Sequence, residues 1–369
     1  MRYYIIAGER SGDLHGSNLV RHLSQMDQQA EFRGVGGKRM QNENVVIAKN
    51  SNELSFMGFW EVAKNLRKIL RAFRFIHRDI KLYHPDTIIL IDFPGFNLRI
   101  AKWAKKKGYK VIYYISPQVW AWKSERVLQI EAYTDKLITI LPFEQQFYAQ
   151  HGLTVDRVPH PSVEEISNEK NKPADVAVTN ISDKPIIALL PGSRKQEIKH
   201  ILSTMSSIAK YFPDYQFVVA GISEIKLDFY EKHISTDWIK VVHDKTYDLL
   251  KVATAAIVTS GTATLETALF NVPQVVCYKG NRFSYFMAKR LVKIDFISLV
   301  NLILNKPLVK ELIQGELTEM NLKDELTKIL PGSKKRLEIE EGYKEMESLL
   351  GDESGSHKAA QLIYESFVE

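Results

Sequence analysis

The sequence predicts an α/β fold of two doubly wound, Rossmann-like domains whose strand ends face a cleft. Three observations carry this expectation. Apolar runs that end in Gly- or Ser-rich turns, each followed by a helix-competent segment, recur along both halves of the chain. The stretch Ile186 to Glu197, IIALLPGSRKQE, opens the second half much as Tyr3 to Leu19 opens the first. The 369 residues, 45% of them hydrophobic, are enough for two cores of ordinary size.

Composition narrows the partners. A net charge of +6 favours anions, whether nucleic acid, phosphorylated metabolites or an acidic membrane face. Cys277 is the one cysteine, which excludes an internal disulfide and suits a reducing compartment; in VPQVVCY it reads as a buried apolar thiol. MRYYIIAGE enters a strand directly, without the apolar core of a signal peptide. No run of about 18 apolar residues occurs, so the expectation is a cytoplasmic chain without a membrane span.

Tyr3 to Ala7 reads as a short buried strand broken at Gly8. GERSGDLHG then leads into a helix through Leu19 and Leu23, with Glu9, Ser11 and Asp13 over the sheet's C-terminal edge, where ligands of open α/β sheets collect. Its glycines fit neither a dinucleotide fingerprint nor a P-loop, and Ser11 and Asp13 are equally suited to capping the helix. A second strand–turn unit ends in GVGGKRM at Gly34 to Met40.

Leu54 to Tyr83 is the most unusual segment. Phe56, Met57, Phe59 and Trp60 form an aromatic head. Leu66, Ile69, Leu70, Phe73 and Ile76 follow at helical spacing, flanked by Lys64, Arg67, Lys68, Arg71, Arg74 and Arg78. A basic amphipathic helix with such a head suits an anionic membrane surface; the competing reading is a core-packing helix with a solvated basic face.

Thr87 to Ile91 (TIILI) is a buried parallel-type strand ending in DFPGFN at Asp92 to Asn97, with a basic helix from Ala101 to Lys107. An acid at such a strand tip is either a general base or a helix cap, and Asp92 is open to both readings. Lys110 to Ile115 is the next strand, ending in SPQVWAW, where Gln118, Trp120 and Trp122 offer polar and flat apolar surface for a sugar or an acyl chain. Leu137 to Ile140 precedes LPFE and a short helix to Tyr148. Glu164 to Asp183 is polar and marks a linker.

The second half begins at the Pro191–Arg194 turn. Gly192 lets the backbone approach a ligand, Ser193 suits a cap, and Arg194 offers a bidentate fork to a phosphate or carboxylate at a helix start. Ala256 to Thr259 repeats that logic: Ser260, Gly261 and Thr262 open a helix, with hydroxyls and N–H groups for a diphosphate, and Glu266 for a ribose diol or a capping box. Gln216 to Ala220 and Val275 to Tyr278 are further strands, and Phe283 to Val292 is a second aromatic, basic helix. Asn301 precedes a helix expected through Leu308 and Leu312. No D-x-D triplet occurs, so a transferase on this plan would replace a diphosphate-gripping metal with Arg, Ser, Thr and helix N-termini.

AGERSGDLHG, GVGGKRM, FMGFWEV, IDFPGFN, YYISPQVWAWK, LPFE, LLPGSR, SGTATLE and AKRLVK, in this order, make the chain resemble the lipid-A-disaccharide synthases, inverting two-domain glycosyltransferases of the B type, nearly end to end. The resemblance implies transfer of 2,3-diacylglucosamine from its UDP derivative to 2,3-diacylglucosamine 1-phosphate (lipid X). The products would be a β-1′,6-linked disaccharide and UDP, in lipopolysaccharide biosynthesis for a Gram-negative outer membrane. It implies Asp92 as the base and Arg194 as the group meeting charge on the diphosphate, with Gly192, Ser193, Ser260, Gly261, Thr262, Glu266 and Asn301 around the donor. Glu9, Ser11, Asp13, Gln118 and Trp120 would contact the sugars, and Phe56, Met57, Phe59 and Trp60 the acyl chains or the inner leaflet.

No cofactor or metal is expected, nor a nucleic-acid partner; the location would be cytoplasmic, peripheral to the inner membrane, and a homo-oligomer stays open. The domain expectation is residues 1–165 for the acceptor, 166–183 as linker, and 184–341 for the donor. The C-terminal helices, 342–369, would pack on the first domain or on a partner. Three positions depart from the family pattern: Gly95 where many relatives have a second acid, Pro159 in place of a glycine, and Val300 in place of a proline. The rival readings are another UDP-sugar transferase, a UDP-sugar 2-epimerase that needs no lipid acceptor, and a non-catalytic nucleotide-sugar-binding membrane adaptor.

Overall fold

The computed structural model describes residues 1–53, 66–122, 124–280 and 294–368. The chain forms two compact units, one of residues 1–164 and 350–369, the other of residues 165–349. Each is Rossmann-like.

Among the described residues, the first unit has a seven-stranded sheet: β1 (Arg2–Ala7), β2 (Glu31–Gly36), β3 (Val46–Asn50), β4 (Thr87–Ile91), β5 (Lys110–Tyr114), β6 (Lys136–Thr139) and β7 (Asp156–Arg157). The spatial order is β3-β2-β1-β4-β5-β6-β7, with every pair parallel. Tyr3 to Ala7 and Ile88 to Ile91 are wholly buried, as expected of central parallel strands covered by helices on both faces. The register runs from Tyr3 opposite Thr87 to Ala7 opposite Ile91, so β1 and β4 end level with one another.

The helix Leu66–Tyr83 settles the choice between its two readings for its apolar stripe. Phe73, Ile76 and Ile80 are core residues, while Arg67, Lys68, Arg71, Arg74 and Arg78 are exposed together with Leu70, Phe75 and Leu82. Asp79 pins this helix to the sheet: it accepts from Arg33 Nε at 2.9 Å and Nη2 at 2.7 Å, and from the Tyr4 hydroxyl at 2.9 Å. Phe56, Met57, Phe59, Trp60 and the segment 283–292 lie outside the described residues. Among the described residues no helix is long and apolar enough to cross a membrane.

The second unit has, among its described residues, a six-stranded parallel sheet. Its strands are β8 (Ile186–Leu190), β9 (Gln216–Gly221), β10 (Lys240–His243), β11 (Ala253–Thr259), β12 (Gln274–Tyr278) and β13 (Glu311–Ile313), in the order β10-β9-β8-β11-β12-β13. Here the expected helix through Leu308 and Leu312 is corrected. The helix is Leu299–Leu304, closed by Asn305 at φ +48° with Pro307 beyond it, and Leu312 pairs with Cys277 as an edge strand.

Two boundaries also differ from the sequence reading. Residues 166–183 hold the end of the helix Pro161–Lys170 and the helix Val176–Thr179, whose cap Asp175 accepts from Ala177 N at 2.7 Å and whose Val178 is buried. Ser167, Asn168 and Lys170 are exposed on the first of these helices, and the other polar residues lie mostly in the turns between and after the two. The segment 342–369 is divided: the helix Lys334–Leu350 belongs to the second unit, where the Tyr343 hydroxyl donates to Val272 O at 3.2 Å, and Gly355–Val368 packs on Arg10–Met26 in the first.

Candidate functional site

In both sheets the chain winds outward from a central strand and then returns to the strand's other side, giving a switch point between β1 and β4 and another between β8 and β11. In open α/β sheets ligands collect outside the C-terminal strand ends at such points.

At the first switch point the β1 and β4 loops touch. A Cβ on Gly8 would lie 2.2 Å from Phe93 Cδ1, so only glycine admits this approach. The helix begins at Arg10, with Glu9 as its extended N-cap, which places Ser11 and Asp13 inside the first turn. Glu9 and Ser11 are partly exposed. Asp13 is buried, and its carboxylate accepts from the backbone N–H groups of Gly37 at 2.6 Å, Arg39 at 3.1 Å and Met40 at 3.2 Å. Asp13 therefore caps the helix Lys38–Asn42 of the GVGGKRM segment, and the sugar contact expected of it gives way to this structural role.

Asp92 follows the last residue of β4, and both Asp92 and Phe93 are left-handed, at φ +41° and +52°. The carboxyl is pushed up to about 7, by burial first and by the Glu9 carboxylate second, against a hydrogen bond from Phe93 N–H. A carboxyl raised into that range is suited to general-base chemistry near neutral pH. Gly95 is exposed with open space around it, and the acid acting on Asp92 is Glu9, from the turn after β1.

The next strand tip carries the aromatic loop. Ile115, β-branched and left-handed at φ +64°, directly follows β5. Gln118 is exposed and Trp120 partly so; the Trp120 indole donates to Glu144 Oε1 at 3.2 Å and meets the Phe143 ring edge-on at 4.8 Å. Glu144 is buried and also accepts from the N–H groups of Ile140 at 3.1 Å and Leu141 at 2.9 Å. Burial pushes its carboxyl up to about 7, opposed by those three donors. An acceptor-only group suits three converging N–H donors, which a glutamine amide would not.

At the second switch point Leu189 and Leu190 lie opposite Ile257 and Val258, bringing the Pro191–Arg194 and Ser260–Thr262 turns side by side. Helices Lys195–Ser207 and Thr262–Leu269 start there, and neither N-cap residue, Arg194 or Gly261, caps its helix with its side chain. Gly192 sits at φ +98°, and a Cβ on it would lie 2.4 Å from Glu197 Oε2. Glu197 also accepts from Arg194 Nη1 at 2.9 Å. Ser193, Arg194, Gly261 and Thr262 are exposed. Two adjacent helix N-termini with an exposed guanidinium form an anion-binding arrangement.

The other donor-side candidates divide. Glu266, partly exposed, accepts from the Tyr247 hydroxyl at 3.2 Å. Ser260 spends its N–H on Cys277 O at 2.9 Å and its hydroxyl proton on Ile297 O at 2.8 Å, so it offers a ligand no donor in this arrangement. Asn301 is buried inside the helix Leu299–Leu304. Its amide donates to Val309 O and Glu311 Oε1, both at 2.9 Å, and accepts from Val309 N–H at 2.9 Å. Both of its donors are spent on the 309–311 segment, which replaces the expected diphosphate or sugar contact.

Sequence reasoning gave no role to four residues that shape these sites: Asn97, Tyr113, Glu144 and Glu197. Glu197 was legible in principle, because an acid three residues after an N-cap reaches back to it. Tyr113 reaches Asp92 O from the neighbouring strand, whereas Asn97 and Glu144 combine such a distant partner, Ile6 O and Trp120, with partners in their own loops.

The family described as lipid-A-disaccharide synthetase matches residues 3–366. A lipid-A-disaccharide synthase of Geobacter metallireducens is 35% identical over 371 residues, covering 99% of this chain and 97% of that protein. One from Coxiella burnetii is 37% identical over 331 residues, 88% of each chain. Among solved structures, the UDP-GlcNAc 2-epimerase of Neisseria meningitidis bound to UDP-GlcNAc superposes with a TM-score of 0.66 at 13% identity over the whole of both chains, a likeness of fold.

Proposed function

The chain belongs to the lipid-A-disaccharide synthase family, and from that premise we propose that its donor is UDP-2,3-diacylglucosamine and its acceptor 2,3-diacylglucosamine 1-phosphate. It is a glycosyltransferase that uses a nucleotide sugar. The observation that carries the mechanism is Asp92, at a strand end on the switch point, with its carboxyl held near neutrality beside Glu9.

In this reading Asp92 takes the proton of the acceptor's 6-hydroxyl as that oxygen attacks the anomeric carbon. The carbon–oxygen bond to UDP breaks, the configuration inverts, and the bonding pair leaves on the β-phosphate. Arg194, together with the N–H groups of the two helix starts, meets the charge that develops on the diphosphate. Glu266 holds the donor ribose through its carboxylate. Glu9 and Ser11 orient a sugar hydroxyl, and Gln118 and Trp120 offer the acceptor a polar edge and a flat face. The charge of the leaving group is met by protein donors, so transfer is expected to persist in a chelator. The exposed arginines and lysines of Leu66–Tyr83 support peripheral contact with anionic lipid.

The test is UDP release from UDP-2,3-diacylglucosamine with and without the acceptor, beside Asp92→Asn. Release that needs the acceptor and falls by about 10² or more in the variant supports the reading. Release without acceptor would point to hydrolysis or epimerisation instead.

A further inference from the structure

The elbow that carries Asp92 is held against its own backbone preference. Asp92 and Phe93 are consecutive non-glycine residues at φ +41° and +52°, conformations that are unfavourable for such residues and persist only where neighbours enforce them. The enforcement is visible. Two side chains donate to the same carbonyl oxygen, that of Asp92: Asn97 Nδ2 at 2.8 Å and the Tyr113 hydroxyl at 2.7 Å. Fixing that carbonyl fixes the peptide plane between residues 92 and 93, and with it the direction in which the Asp92 side chain leaves the strand.

Neither donor is explained by packing. Asn97 is wholly buried in the helix Pro94–Lys106, where an apolar residue would sit more cheaply. Its amide nitrogen also reaches Ile91 O at 3.1 Å and Ile6 O at 3.4 Å, so one amide gathers the carbonyl ends of β4 and β1 at the switch point. Its Oδ1 is buried without a hydrogen-bond partner among the described residues, a desolvation penalty offset by aiming the N–H pair at the strand ends. Tyr113 is wholly buried on β5, opposite Leu90, and reaches the elbow from the neighbouring strand.

We propose that Asn97 and Tyr113 are positioning residues for Asp92: by holding its main-chain carbonyl from a helix and from a strand, they lock the elbow in the one geometry that aims the carboxylate. The inference rests on the reading of Asp92 as the base. It assigns Asn97 and Tyr113 no contact with substrate, so their removal acts on turnover and leaves both substrates bound as before.

Steady-state kinetics of Tyr113→Phe, which keeps the ring and loses the hydroxyl, and of Asn97→Ala test this, with thermal midpoints as the control for folding. Tyr113→Phe is expected to lower kcat about tenfold and Asn97→Ala about 10²-fold, with KM for donor and acceptor within about twofold, the scale of a displaced catalytic group. In an Asp92→Asn background Tyr113→Phe is expected to have no further effect on the residual rate. An unchanged kcat in Tyr113→Phe overturns the inference, and so does an equal loss in both backgrounds, the mark of a merely structural role. Full activity in Asp92→Asn overturns the base assignment itself, an outcome separable from the other two.

Discussion

Glu9 and Asp92 interact across the ends of two adjacent parallel strands: the Glu9 carboxylate adds to burial in pushing the Asp92 carboxyl up to about 7. Position 95 is a glycine, and the like charge beside Asp92 comes from Glu9, the N-cap of the helix that follows β1.

The pH dependence follows from that pair. A base is active when ionised, so the rate is expected to rise with pH through about 7. Glu9→Gln removes the like charge, lowers the Asp92 carboxyl and moves the acidic limb of kcat/KM to lower pH. The position of the limb is the readout, independent of any loss in overall rate. A limb that stays in place would break the link.

Arg194 is engaged by Glu197 at 2.9 Å, and both side chains are substantially exposed. If Arg194 meets the donor diphosphate as proposed, the phosphate competes with that carboxylate. An exposed ion pair is worth roughly 0.2–1 kcal/mol, so Glu197→Gln is expected to tighten UDP binding by about 1.5- to 5-fold in calorimetry. Arg194→Gln, with its fork lost, is expected to weaken UDP binding at least about tenfold. Weaker binding in Glu197→Gln would mean that the carboxylate orients Arg194 for the ligand.

Asp79 anchors the basic helix to the sheet through Arg33 and Tyr4. Asp79→Ala leaves the guanidinium without its fork and is expected to cost about 2–3 kcal/mol, read as a lower urea midpoint. Tyr4→Phe removes one hydroxyl bond and is expected to cost about 1 kcal/mol. Equal effects of the two substitutions would contradict the network as described.

The exposed face of Leu66–Tyr83 carries Arg71 and Arg74 beside Phe75, away from the buried Phe73 and Ile76. At about 1 kcal/mol per basic residue near an anionic surface, reversing both arginines to glutamate is expected to lower binding to phosphatidylglycerol-containing vesicles by at least about tenfold. Phosphatidylcholine vesicles serve as the control, and added salt should have the same effect as the substitutions. Salt-independent binding that survives both changes would assign membrane contact to another part of the chain.

Much of the fold was legible because its signals are local. Apolar runs such as TIILI and IIALL fall on buried strands, and the turns after them fall on the C-terminal sheet edges. Misreadings came where local letters are ambiguous. Leu312 sits in an apolar stretch that suits helix or strand, and pairing with Cys277 decided it. The polar 166–183 segment looked like linker because helices with one buried residue per turn carry few apolar letters.

The alternation of strand and helix, the two Gly/Ser turns that open helices in the second unit, and the family of the chain were all legible in the residues alone. Which polar side chains are spent on the fold became visible with the packed chain. Asp13 caps a neighbouring helix and Asn301 ties down the 309–311 segment, while Asp92 and Glu9 stand together at a strand edge. The physical reason is that a side chain's hydrogen-bond partners and its dielectric surroundings come from segments far away along the chain. Spacing in the sequence carries no trace of them until the sheet brings those segments together.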